Sequence, residues 1–219
     1  MPLVTENVLG SIGNTPLVEL RKVVPTGCGR VFAKLEWANP TGSMKDRMAA
    51  AAIRSAEADG RLRPGGTVVE YTSGTTGISL ALVCAANGYG IEIAFSDAFS
   101  EEKRRTMQAF GARITDVPSD NKQITESLIR AMIDMAAEIS RRPGHWYCDQ
   151  LNNHDAMQGY LPLGEEIWRQ TGGDVAAFVH SVGTAHSIHG VTQALWKHDP
   201  KIRVVAVEPA ESAVLSGGS

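Results

Sequence analysis

An α/β fold, with parallel sheet flanked by helices, is predicted by three observations. Short β-branched or aromatic runs alternate with longer segments of 3.6-residue apolar period. Gly, Pro, Ser or Asp punctuates nearly every boundary between them. One helix-length run, Ile78 to Ala86, is apolar on every side. A helix of that kind cannot lie on a surface, so it belongs between the sheet and other helices. Strand and helix in regular alternation imply parallel pairing through right-handed crossovers.

In chain order, the strands are read as Val31 to Glu36, Thr67 to Tyr71, Ile91 to Phe95, Arg113 to Asp116, Trp146 to Cys148, Ala176 to Ser181 and Arg203 to Glu208. Between the first two, Lys45 to Asp59 repeats apolar positions at Met48, Ala52, Ile53 and Ala56, the stripe of a helix. Ser100 followed by Glu101 and Glu102 reads as a cap and two acids favourable to a helix dipole. Further on, Ile124, Leu128, Met132, Met135 and Ile139 share one helical face. No internal repeat, low-complexity tract or linker interrupts the pattern, and the length allows one large domain or two small ones.

Composition narrows the partners. Lys plus Arg number 21 against 24 Asp plus Glu, a net charge of −3 with mixed signs, so no basic face advertises nucleic acid. The three cysteines, Cys28, Cys84 and Cys148, are widely spaced without a CxxC pair, which argues against a disulfide framework and structural zinc and fits a reducing cytoplasm. The N-terminus has neither the basic start nor the apolar run of a secretory signal. The longest apolar stretch falls far short of the ~20 residues needed to span a bilayer.

Ligands of open parallel sheets sit beyond the carboxyl ends of strands, and three junctions there carry suitable residues. The first runs through Asn39-Pro40-Thr41-Gly42-Ser43 into a helix with Lys45 in its first turn. A cation there opposes the helix dipole by about 0.3–1 kcal/mol, so stability alone does not choose it. A partly desolvated ammonium near a positive helix end loses its proton easily, as a Schiff-base lysine requires, whereas a surface lysine paired with Asp46 requires nothing special. The second junction, Thr72-Ser73-Gly74-Thr75-Thr76-Gly77, gathers hydroxyls and glycines at a helix N-terminus and suits a carboxylate or phosphate; a simple cap needs only one such hydroxyl. The third, Gly183-Thr184-Ala185-His186-Ser187, is another anion cup. Neither a Walker loop nor GxGxxG is present, and His180, His186 and His189 lie on a strand, a loop and a helix with no supporting carboxylate spacing, so a metal is not expected.

Taken together the segments resemble the cysteine synthase and cystathionine β-synthase family of pyridoxal-phosphate (PLP) enzymes. The matches are Ile12-Gly13-Asn14-Thr15-Pro16-Leu17-Val18, Asn39 to Arg47 with its S-x-K-D-R lysine motif, Glu70 to Gly77, Asp149-Gln150, Gly164 to Trp168, Gln170 to Gly173, Val182-Gly183-Thr184 and Val207-Glu208-Pro209. The resemblance implies a tryptophan synthase β-like fold (PLP fold type II) of two three-layer α/β domains. Residues 44–148 would form the smaller, mobile domain; 1–43 and 149–219 would belong to the larger, PLP-binding one. It implies that Lys45 carries PLP as a Schiff base and, once freed, removes the α-proton. Thr75, Gly183, Thr184, Ala185, His186 and Ser187 would hold the cofactor, and Thr72, Ser73, Gly74, Thr76 and Gln150 the substrate. The implied reaction is β-replacement on an O-acetylserine-like amino acid by sulfide or a thiol, in a cytoplasmic homodimer. A serine or threonine dehydratase and a cystathionine β-synthase-type activity share the same features, and a non-catalytic PLP-binding or partner-binding remnant is the alternative of another class. Two positions depart from the family: Thr75 stands where Asn is usual, and Ala185-His186 where glycine is commoner. The family also continues past Val207-Glu208-Pro209 and supplies a later Ser or Thr to the pyridine nitrogen, so the chain reads as C-terminally incomplete.

Overall fold

The computed structural model describes residues 4–217. Four strands, β3 (Thr67–Tyr71), β4 (Gly90–Ser96), β5 (Arg113–Val117) and β6 (His145–Tyr147), form a wholly parallel sheet in the order β5-β4-β3-β6. Alternation along the strands sends Val68, Ile91, Ile93 and Phe95 to one face and Val69, Tyr71, Ala94 and Val117 to the other. The first face is covered by α1 (Lys45–Ala58) and α2 (Thr75–Asn87), the second by α4 (Glu126–Ser140). α3 (Glu101–Ala109) connects β4 to β5. The apolar run at Ile78 to Ala86 is the body of α2, with Leu80, Ala81, Val83 and Cys84 buried, as a helix apolar all round must be. Gly88 ends it in the left-handed conformation.

Succession in this sheet runs β3, β4, β5 in one direction, and then α4 crosses the opposite face to deliver β6 on the far side of β3. The carboxyl ends of β3 and β6 therefore flank a topological switch point, where a crevice opens between loops that leave in different directions.

Two smaller sheets stand apart from this one. β7 (Ala177–Ser181) and β8 (Arg203–Val207) pair in parallel through α7 (His186–His198), which packs on α6 (Leu161–Gln170) and on the single-turn α5 (Asp155–Gln158). β1 (Leu17–Glu19) and β2 (Phe32–Lys34) pair antiparallel, Val18 opposite Ala33. This ribbon corrects the sequence reading. The strand expected over Val31 to Glu36 is only three residues long, pairs with a strand that carries no periodic signal, and gives way to a 3-10 turn at Glu36–Ala38. Ile124 precedes α4 and is exposed, and the Ser100 side chain makes no capping bond although its backbone opens α3.

Candidate active site

Lys45 is the first residue of α1. Its neighbour Asp46 does not pair with it: the Asp46 carboxylate accepts the Thr41 backbone N–H at 2.8 Å and the Thr41 hydroxyl. The Lys45 amine has no counter-ion among the described residues, and burial pushes its pKa below the ordinary lysine value. His180 and His186 are held below the usual imidazole range by burial and then by the Lys45 charge, which places both rings in the field of that amine.

A helix start that places a cation against its own dipole has to be held from elsewhere. Arg47, two residues on, forks into two carboxylates, one half-buried and one buried: Nε and Nη2 to Glu36 at 2.7 and 2.9 Å, Nη1 and Nη2 to Glu166 at 2.8 Å each. Lys34 adds a bond to Glu166 at 2.7 Å, and the Asn14 backbone N–H donates to the same carboxylate at 2.9 Å. Burial alone would raise the Glu166 pKa, but the Arg47 and Lys34 hydrogen bonds overcome it and hold the carboxyl down at about 2. Segments 12–18, 39–47 and 164–168 are thereby locked into one charged cluster behind Lys45.

At the carboxyl end of β3, Gly74 adopts φ 143°, ψ −67°, open to glycine alone, with the Lys103 stem lying where a Cβ would be. The turn leaves the backbone N–H groups of Ser73, Thr75, Thr76 and Gly77 without acceptors among the described residues. The Thr76 hydroxyl donates to Gln150 Oε1 at 2.7 Å, and Gln150 Nε2 donates to the Tyr71 carbonyl at 2.9 Å. The Gln150 backbone N–H donates in turn to Glu70, which is fully buried at the end of β3. Past β7, the N–H groups of Gly183, Thr184, Ala185, His186 and Ser187 likewise have no acceptors among the described residues. Ala185 takes the left-handed conformation itself, φ 63°, at the N-cap of α7. The left-handed turn of the cup is thus kept with alanine in place of glycine, at a cost of roughly 1–2 kcal/mol.

A cavity of roughly 290 Å³ joins these parts. Lys45, Thr72, Ser73, Thr75, Thr76, Gln150, Gly183 and Thr184, all singled out in the sequence, line it. Gly74, Ala185, His186 and Ser187 do not: Gly74 faces Lys103, His186 is buried, and the Ser187 hydroxyl is engaged by His180 Nε2 at 2.8 Å. His189, one turn after His186 on α7, is hydrogen-bonded to Gln193 at 3.0 Å. Tyr71, Ile129 and Met132 complete the wall, and sequence reasoning missed them. Met132 comes from the apolar stripe of α4 and Ile129 from the position next to Leu128 of that stripe, where a wall residue and a core residue give the same apolar signal. An unpaired, desolvated amine between two rows of free N–H donors suits a group that carries both a carbonyl and a phosphate.

The pyridoxal-phosphate dependent enzyme family matches residues 8–219. The chain is 40% identical over 215 residues to a cysteine synthase of Staphylococcus aureus, covering 97% of this chain and 67% of that protein. It is 38% identical over 208 residues to cysteine synthase B of Escherichia coli, covering 94% and 67%. Among solved structures it superposes on O-ureido-L-serine synthase with TM-score 0.90 at 34% identity, covering 99% of this chain and 67% of that one. It superposes on O-acetyl serine sulfhydrylase isoform 3 from Entamoeba histolytica with TM-score 0.89 at 38% identity, covering 99% and 65%. The chain thus spans about two thirds of the length of the curated relatives it matches.

Proposed function

The chain belongs to the pyridoxal-phosphate dependent enzymes, and from that membership we propose that it catalyses β-replacement on an O-acetylserine-like amino acid, with sulfide or a thiol as nucleophile, to give cysteine or an analogue. The observation that carries the reading is the unpaired, desolvated Lys45 amine facing two separate sets of free backbone donors across one cavity. When bound, PLP supplies an electron sink for a carbanion at the α-carbon of the amino acid.

Each part of the chain then has a task. Lys45 would hold the cofactor and, once displaced by the amino acid, accept the α-proton at Nζ; burial lowers its pKa and so favours the neutral amine that this task needs. The Gly183 to Ser187 turn binds the phosphate through backbone N–H groups and the α7 dipole, which leaves the Ser187 hydroxyl free to fix His180. Ser73, Thr76 and Gln150, with Thr72 and the Gly74 turn, would orient the substrate carboxylate, and Thr75, which lines the same cavity, would help to hold the cofactor. Residues 44–148 are assigned to the smaller domain and 1–43 with 149–219 to the larger; among the described residues β3 to β6 pair only with one another, which supports that division, while the Arg47 bonds to Glu36 and Glu166 tie the start of α1 to the larger part. The protein works as a homodimer in the cytoplasm, a setting that suits its three unpaired thiols. No helix among the described residues is long and apolar enough to cross a membrane.

The test is borohydride reduction of the PLP-loaded protein followed by peptide mapping, with product analysis in the presence and absence of sulfide. Label on the Lys45 peptide and sulfide-dependent cysteine formation from O-acetyl-L-serine are expected. Label on another lysine overturns the site, and ketoacid formation indifferent to sulfide turns the reading into a dehydratase.

A further inference from the structure

Glu70 is 0% exposed and has no cationic partner among the described residues. A buried carboxyl without a counter-ion is costly, so its hydrogen bonds define what it does. They join the end of β3 to the turn that follows β6: Oε1 accepts the Tyr71 N–H and Oε2 the Gln150 N–H, each at 2.9 Å. Gln150 follows Asp149, whose φ of 51° is left-handed, so no regular element aims the Gln150 N–H. From Gln150 the bonds continue to the Thr76 hydroxyl and back to the Tyr71 carbonyl, closing a ring across the ends of β3 and β6 and the start of α2.

We propose that Glu70 is the positioning residue of the carboxylate cup: by holding the Gln150 turn against β3, its two oxygens set where the Gln150 amide and the Thr76 hydroxyl stand in the cavity. Glu70 itself does not line the cavity and acts only through Gln150. The inference rests on the reading of the 72–76 turn as the substrate-carboxylate site.

Two N–H donors on two oxygens favour the carboxylate, since a protonated carboxyl gives up part of its acceptor capacity to an O–H donor and holds the N–H groups less strongly. Burial opposes that form and, with Asp149 nearby, outweighs the Gln150 and Tyr71 N–H bonds to push Glu70 up to about 8. The groups facing it are Tyr71 on its own strand, Tyr147 and Cys148 from β6 and the residue after it, and Asp149; Cys84 of α2 stands behind Cys148. None is cationic, so nothing else supplies the charge. The ring therefore tightens as pH rises through about 8.

L-Serine, which carries the α-carboxylate but only a β-hydroxyl, a poor leaving group, is titrated calorimetrically into the PLP-loaded full chain and its Glu70→Gln variant from about pH 7 to about pH 9. Relative to the variant, wild-type affinity is expected to rise with a midpoint near 8 and to be about tenfold higher at the alkaline end, the equivalent of one hydrogen bond. With O-acetyl-L-serine, KM of the variant rises by a similar factor while kcat changes less than about twofold, a split that a loosened fold does not produce. Equal affinity and equal KM for the two proteins overturn the positioning role and leave the cup reading standing. A wild type that binds no L-serine at any pH overturns the cup reading and the proposal with it. Should the variant not fold, hydrogen exchange at the Gln150 N–H of the wild type decides: protection that steps up near pH 8 supports the role, and protection that follows only the intrinsic rate overturns it.

Discussion

Two residues put the chemistry of the site within reach of single substitutions. Ser73 offers a hydroxyl and a backbone N–H with no acceptor among the described residues, at the lip of the cavity. Ser73→Ala is expected to weaken amino-acid binding by about 1–3 kcal/mol, the value of a hydrogen bond to a charged group, while PLP affinity stays nearly unchanged; parallel titrations of cofactor and amino acid check it. Ala185 bears the opposite burden, an L side chain at φ 63°. Ala185→Gly relieves the strained backbone and loses part of the gain to the freer unfolded chain, so a net stabilisation of about 0.5–1 kcal/mol is expected in urea unfolding.

At the scale of elements, the position of Lys45 is the position of α1. One constraint is the Arg47 fork. Arg47→Ala leaves the half-buried Glu36 without its cation and the buried Glu166 with Lys34 alone, a loss of about 3 kcal/mol, measured by denaturant unfolding of the cofactor-free protein. Arg47→Lys does not restore it, because an ammonium cannot fork between two carboxylates. The other constraint is the approach of α5. A Cβ at Gly159 would stand 2.3 Å from the Arg47 carbonyl oxygen and 2.9 Å from the Met48 nitrogen, both backbone atoms that cannot turn aside. The φ of Gly159 is an ordinary −64°, so contact and not conformation demands glycine there. Gly159→Ala is expected to cost about 1–3 kcal/mol by pushing α1 off α5, and to lower PLP affinity as Lys45 moves with its helix, read by thermal unfolding and cofactor titration together.

Across the whole molecule, buried carboxyls with opposite shifts shape stability against pH. Glu166 at about 2 and Glu36, also held low, add stability that is complete above the ordinary carboxylate value of 4.5 and is lost as pH falls through their folded values. Glu70 works the other way: above 4.5 the unfolded chain has released a proton that the folded protein keeps, so raising the pH to about 8 favours unfolding. Urea midpoints taken across this range should therefore peak at mildly acidic pH, and the alkaline decline should flatten in Glu70→Gln. What the sequence by itself determined is whatever contiguous residues encode: the β-branched run that marks β3, the 3.6-residue stripes of α1 and α4, the apolar run that buries α2, and the hydroxyl, glycine and lysine patterns that open three helices beside one cavity. Only the tertiary structure decided the rest. The β1–β2 ribbon is too short for a period, the Ile129 and Met132 wall shares its signal with the core, and the Arg47–Glu166 pair spans 119 residues of chain. The signs of charges are written in the sequence, but which of them meet, and in what dielectric, depends on distances that exist only once the sheets and helices have packed.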